Sequence, residues 1–136
     1  MAKIKSAPLS VFDAVLPQTQ YAATKAALTS MLIPLSKYYN ADIIVIRTFN
    51  LYGPFERTSR LYPTLINAIK FRKPVEITKG TQKKFFSHVS TLIDVLIEYV
   101  LQTHSPSRFI LKNHDRGDVF SVLEFAKHLF RLHGLQ

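Results

Sequence analysis

Cysteine is absent from the 136-residue sequence. That excludes a disulfide framework, a thiolate metal site and a cysteine nucleophile. Glycine is scarce: Gly53, Gly80, Gly117 and Gly134 are the only four, and they lie far apart. The sequence therefore holds no Gly-rich strand-to-helix turn of the kind that cradles a pyrophosphate. No apolar run approaches the roughly 20 residues that span a bilayer. Residues 1–10, with Lys3 and Lys5, show no continuous apolar stretch of a secretory signal. The expectation from these absences is a cytoplasmic protein with no membrane contact. Acidic residues are few, 9 against 18 Lys plus Arg, for a formal net charge of +9.

What is present is core-forming. Hydrophobic residues make up 47% of the chain, the composition of a packed domain and not of a disordered tail. A chain of this length buries roughly 68% of its unfolded surface, enough for one domain but not two. The basic excess is concentrated in Lys70, Arg72, Lys73, Lys79, Lys83 and Lys84, opposed only by Glu76. Such a cluster fits RNA, an acidic partner or a small phosphorylated ligand. It equally fits a solvated loop and strand edge, where lysines suppress sheet-to-sheet association. Neither an RNP-like aromatic strand nor zinc-finger spacing accompanies it, so nucleic acid is the least favoured partner.

Apolar residues at helical spacing, Ala22, Ala26, Met31, Leu32 and Leu35, predict a helix from Gln18 or Thr19 to about Tyr39. Thr19 suits its cap, Asn40 its stop, and Pro34 predicts a kink. The β-branched run Ile43-Ile44-Val45-Ile46 predicts a strand buried on both faces. Asn50 to Pro54 reads as a loop, and residues 60–71 as a second helix ended before Lys73-Pro74. Val75 to Thr78 and Phe85 to Val89 read as short extended pieces, with Lys79-Gly80 a turn between them. Thr91 to Gln102 is expected to be helical, with Leu92, Val95, Leu96 and Val100 on one face. Phe109 to Leu111 reads as a strand. Ser121 to Leu132 reads as the last helix, started by a Ser121/Glu124 capping box and stopped at Gly134. Helices alternating with short strands predict an α/β fold with a mainly parallel sheet.

The sharpest local feature is Tyr21-Ala22-Ala23-Thr24-Lys25. Residues at i and i+4 stand one above the other on a helix face. An ammonium so placed favours phenolate and suits the tyrosine to proton transfer. By itself the pair is a weak signal, since this spacing arises by chance in many helices. Downstream stand Arg47-Thr48-Phe49-Asn50-Leu51-Tyr52-Gly53-Pro54 and then Phe85-Phe86-Ser87-His88-Val89.

In this order the three segments resemble the extended short-chain dehydrogenase/reductase family, the NAD-dependent nucleotide-sugar epimerases and dehydratases, from about Val11 to Gly134. The resemblance implies a partial Rossmann-like fold, a mainly parallel sheet with flanking helices, corresponding to the C-terminal half of such an enzyme. About 1–54 would close the Rossmann-like part, and about 55–136 would form the substrate-binding portion. It implies that Tyr21 is the catalytic acid/base and that Lys25 holds the nicotinamide ribose of NAD or NADP. Thr48 and Phe49 would pass the nicotinamide. Asn50 would hydrogen-bond a nucleotide sugar, with Leu61 and Pro63 at the substrate-facing helix entry. Lys84 stands where the family's arginine grips the diphosphate, keeping the charge without the bidentate fork. Arg47 reads equally as a strand-end charge with a local partner. His88 reads as a satisfied core histidine, and Tyr52 and Pro54 as loop geometry. No metal is implied.

Several positions depart from the family pattern. Pro8 occupies the register of the hydroxyl residue that polarises the substrate, with Ser6 and Ser10 out of step. Ser90 and Thr91 replace acids that usually follow His-Val. The Gly-rich first βαβ unit is not in these residues, which implies that they hold at most the nicotinamide end of a dinucleotide site. Apolar surface meant for that missing sheet then needs cover, from a homo-oligomer or a complementary subunit. The implied function is the catalytic and substrate-binding half of an NAD(P)-dependent epimerase or dehydratase, inactive alone. The alternative is a binding or assembly module that keeps a degenerate dehydrogenase fold.

Overall fold

Thr19 has an extended backbone, and its hydroxyl accepts from Ala22 N at 3.1 Å, so helix α1 (Gln20–Tyr38) starts at the expected cap. In the computed structural model, which describes residues 10–101 and 109–135, α1 runs through Pro34 and ends as Asn40 turns to φ 54. Strand β1 (Ile43–Arg47) follows, then β2 (Asn50–Tyr52), α2 (Leu61–Phe71), β3 (Lys83–His88) and α3 (Val89–Leu101). The chain closes with β4 (Phe109–Asn113), β5 (Asp118–Ser121) and α4 (Val122–Leu132). Residue 102, expected at the end of the third helix, lies outside the described residues, as do Ser6 and Pro8.

The fold is α/β, and its elements fall into two compact units. The first comprises the described residues of Met1–Thr48 and Leu101–His114. In it β1 pairs in parallel with β4, Ile43 facing Phe109 and Arg47 facing Asn113. The expectation that β1 is buried on both faces is corrected: all five of its residues are half-buried. β4 is its only strand partner among the described residues, so its other edge brings no neighbouring side chains to cover it. Buried Ser36 donates to Ala41 O at 2.8 Å and ties the end of α1 to the turn before β1.

The second unit, Phe49–Val100 with Asp115–Gln136, holds a three-stranded sheet. β3 is central, parallel to β2 and antiparallel to β5. Its core is Leu65, Ile69, Phe86, Val122, Phe125, Ala126 and Leu129. Phe86 and Phe125 stack with centroids 4.0 Å apart, each burial contributing roughly 1.5–3 kcal/mol. The capping box forms as expected: Ser121 Oγ accepts from Glu124 N at 3.1 Å, and the Glu124 carboxylate accepts from Ser121 N at 2.6 Å. Those backbone and side-chain hydrogen bonds hold the Glu124 carboxyl below its ordinary value.

Three local expectations are corrected here. Asn50 to Tyr52 is a strand, because it gains a partner in β3 that local turn chemistry does not reveal. Val75 to Thr78 is not a strand; Val75 and Ile77 pack on the core from irregular backbone. On α3, Val95 is buried and Leu92 half-buried, but Leu96 and Val100 are exposed.

Candidate functional site

The first group of site residues lies on the opening turns of α1. The helical spacing sets Lys25 one turn beyond Tyr21, with its Nζ 5.7 Å from the Tyr21 ring centroid. Tyr21 is 73% exposed, and its hydroxyl makes no hydrogen bond among the described residues, so phenol and ammonium are both presented outward. Thr48, also exposed, follows β1 in the same unit. Beside it Arg47 has its local partner: the guanidinium donates to Val11 O at 3.3 Å, and Arg47 O accepts from His114 N at 2.8 Å. Arg47 is thereby a structural tie between the N-terminal segment and β1.

The second group belongs to the second unit. Phe49 packs edge-on to Phe85 with centroids 5.4 Å apart. Asn50 Nδ2 donates to Phe85 O at 3.0 Å, bracing β2 on β3. Asn50 pairs in register with Phe86, two residues from Lys84, whose side chain is exposed on the same strand. An exposed ammonium and a carboxamide thus sit within two register positions of each other. Leu61 opens α2 but packs partly buried against the core. The structure brings Tyr21 to Lys25, and Phe49, Asn50 and Lys84 to β3; the two groups belong to different units.

The loop segments around them are built by packing constraints. Tyr52 contacts the rings of Tyr62, His88 and Phe125, and burial pushes its phenol above the ordinary value, so it stays protonated as a core residue. Gly53 has φ +151, and a β-carbon there would meet Val89 Cγ1 at 2.7 Å and His88 Nε2 at 3.3 Å. Glycine is needed at that step because β2 runs so close to the start of α3.

His88 Nδ1 accepts from Ser90 N at 3.3 Å and lies 2.7 Å from Ser90 Oγ. Thr91 Oγ1 donates to His88 O at 2.8 Å and lies 2.9 Å from buried Ser87 Oγ. Ser90 and Thr91 therefore tie down the start of α3 and the histidine beside it. Ser87 Oγ donates to Arg116 O at 2.5 Å, while the Arg116 guanidinium grips both Glu98 oxygens at 2.7 and 2.8 Å.

One group escaped the sequence reading. Glu56 Oε2 is buried without a hydrogen-bond partner among the described residues, and burial raises its carboxyl above the ordinary value, offset by the charge of Arg60. Its only sequence signal is the Glu56/Arg60 spacing. A left-handed Phe55 at φ 67 precedes it.

Among the described residues no helix is long and apolar enough to cross a membrane. Comparison with known proteins gives a consistent result. The model of the NAD dependent epimerase/dehydratase family matches residues 6–110. The chain is 25% identical over 117 residues to the dTDP-D-glucose 4,6-dehydratase of Bos taurus, which takes in 85% of this chain and 32% of that protein. Its fold matches a dTDP-glucose 4,6-dehydratase from Streptomyces venezuelae with NAD and TYD bound, at TM-score 0.80 and 17% identity, over 98% of this chain and 41% of that one. It also matches a UDP-glucuronic acid 4-epimerase from Bacillus cereus in complex with UDP-glucuronic acid and NAD. There the TM-score is 0.78 and the identity 22%, over 97% of this chain and 42% of that one. The chain thus spans about a third of the length of the curated relatives it matches.

Proposed function

The chain belongs to the NAD dependent epimerase/dehydratase family, and from that premise we propose that it is the catalytic and substrate-binding half of a nucleotide-sugar epimerase or dehydratase. The observation that carries the proposal is the outward-facing Tyr21–Lys25 pair, one helical turn apart. The pair fits the nicotinamide-ribose end of NAD or NADP, which supplies hydride acceptance when bound. The pyrophosphate end needs a Gly-rich turn that these 136 residues do not contain, so the chain is inactive alone.

In this reading the Tyr21 oxygen takes the proton from a sugar hydroxyl as that carbon is oxidised. Lys25, one helical turn on, presents its ammonium to the phenolate that accepts this proton, which leaves a neutral phenol, and holds the ribose. Thr48 and Phe49 flank the nicotinamide through the backbone after β1. Asn50 and Leu61 orient the nucleotide sugar, and Lys84 faces its diphosphate as a point charge.

A partner belongs to the same proposal. Leu28, Met31, Leu35 and Tyr38 of α1 are exposed, and β1 has an unpaired edge among the described residues. A second copy or a complementary subunit would cover them. A cytoplasmic location suits such an enzyme.

Calorimetric titration of the chain with UDP and dTDP tests the substrate half. Binding of at least one nucleotide is expected, weakened about tenfold in Lys84→Ala by loss of a charge-assisted contact. An affinity that Lys84→Ala and Asn50→Ala leave unchanged would place the nucleotide elsewhere.

A further inference from the structure

The cationic cluster that begins at Lys70 acquires a geometry in the structure. Phe71, the last residue of α2, is 59% exposed. Lys70 Nζ lies 5.4 Å from its ring centroid and Lys73 Nζ 5.9 Å. One aromatic ring thus gathers two ammoniums that would otherwise repel each other.

Between those lysines Arg72 closes the helix. Its N–H reaches Ile69 O at 3.3 Å, and that of Lys73 reaches Ala68 O at 2.9 Å. This double bond pattern is a Schellman stop, whose left-handed residue is usually glycine. Arg72 adopts that conformation at φ 50, although its β-carbon disfavours it. Its side chain is exposed, and none of Lys70, Arg72 and Lys73 makes an ion pair among the described residues. The negative end of a helix favours cations, but that need is met by the lysines and does not call for an arginine in the glycine position. The two backbone hydrogen bonds offset the left-handed turn, and the three exposed cations are left without an anion of the fold among the described residues.

We propose that Lys70, Phe71, Arg72 and Lys73 form a binding site for the phosphate backbone of a single-stranded nucleic acid. The guanidinium offers a fork that matches phosphate oxygens, and the ammoniums neutralise the adjoining charges. When the flexible ammoniums swing from the ring to the phosphates, the exposed ring gives a base a surface to stack on. A nucleic acid supplies a flat ring beside every phosphate, whereas a run of carboxylates on an acidic peptide supplies none. That difference selects the strand over the peptide. Lys79 continues the basic stretch along the chain. The site uses none of the residues assigned to the dehydrogenase chemistry.

Fluorescence anisotropy with a labelled oligouridylate tests the proposal on the intact chain. Affinity should fall linearly in log–log form with salt, and Lys70→Gln with Lys73→Gln should reduce that slope by about 1.4. Phe71→Ala should weaken binding by about tenfold while leaving the slope unchanged. The decisive variant is Arg72→Gly. It should raise Tm, by relieving the left-handed strain, and at the same time weaken binding, so misfolding cannot account for the loss. Full affinity in Arg72→Gly, or no anisotropy change at low salt, would overturn the proposal. So would polyglutamate competing as well as oligouridylate at equal charge, which would assign the patch to an acidic polypeptide.

Discussion

Replacing Tyr21 with phenylalanine is expected to lower nucleotide-sugar turnover by about 10²- to 10⁴-fold, the usual worth of a positioned acid/base, once a Gly-rich half supplies the dinucleotide. The substitution removes one oxygen from a side chain that is 73% exposed and forms no hydrogen bond among the described residues. Stability and nucleotide affinity should therefore stay at wild-type levels, and the loss reads on chemistry alone. Lys25→Met should also reduce turnover, because it takes away the ammonium beside the Tyr21 ring. The check is steady-state turnover beside a thermal melt of each variant. Equal turnover in Tyr21→Phe and wild type would remove the tyrosine from the mechanism and leave the assembly-module reading in its place.

The largest stability effect is expected at Gly117. A β-carbon added there would fall deep inside the van der Waals radius of Phe86 O, with Phe85 Cε1 at 2.9 Å and Ser87 Cβ at 3.0 Å. None of these can retreat easily. The β3 backbone is held by β2 on one side and β5 on the other. Phe86 is stacked on Phe125 in the core, and Ser87 is bonded to Arg116 O. Gly117→Ala is therefore expected to cost about 3 kcal/mol, at the upper end for overpacking. For a chain of this size that is about 10 °C in Tm. Differential scanning calorimetry reads it directly. An unchanged Tm would show that the β4–β5 connection yields without disturbing β3.

The elements legible in the sequence were those set by local chemistry. Thr19 and Ser121 mark helix starts because their hydroxyls satisfy backbone donors within one turn, and the structure shows both bonds. The Tyr21–Lys25 contact followed from helical spacing alone. What escaped depends on partners distant in the chain. β2 exists because β3 lies beside it, and β5 because it pairs with the other edge of β3. The half-burial of β1 reflects neighbours it does not have among the described residues. His88, with Ser90 on its Nδ1 and the Tyr52 ring against it, has the satisfied setting expected of a core histidine. Glu56 has no local rule to announce that its Oε2 is buried.

The central claim is that these residues hold the catalytic and nucleotide-sugar end of a site whose pyrophosphate-holding elements lie outside them. A fluorescence titration of the purified chain with NADH tests it most directly, with the oligomeric state measured on the same sample. The account predicts no saturable binding by the chain alone, accompanied by self-association or a partner requirement that covers α1. Saturable binding near micromolar NADH by a monomer would contradict it, because the cofactor site would then be complete without a Gly-rich turn.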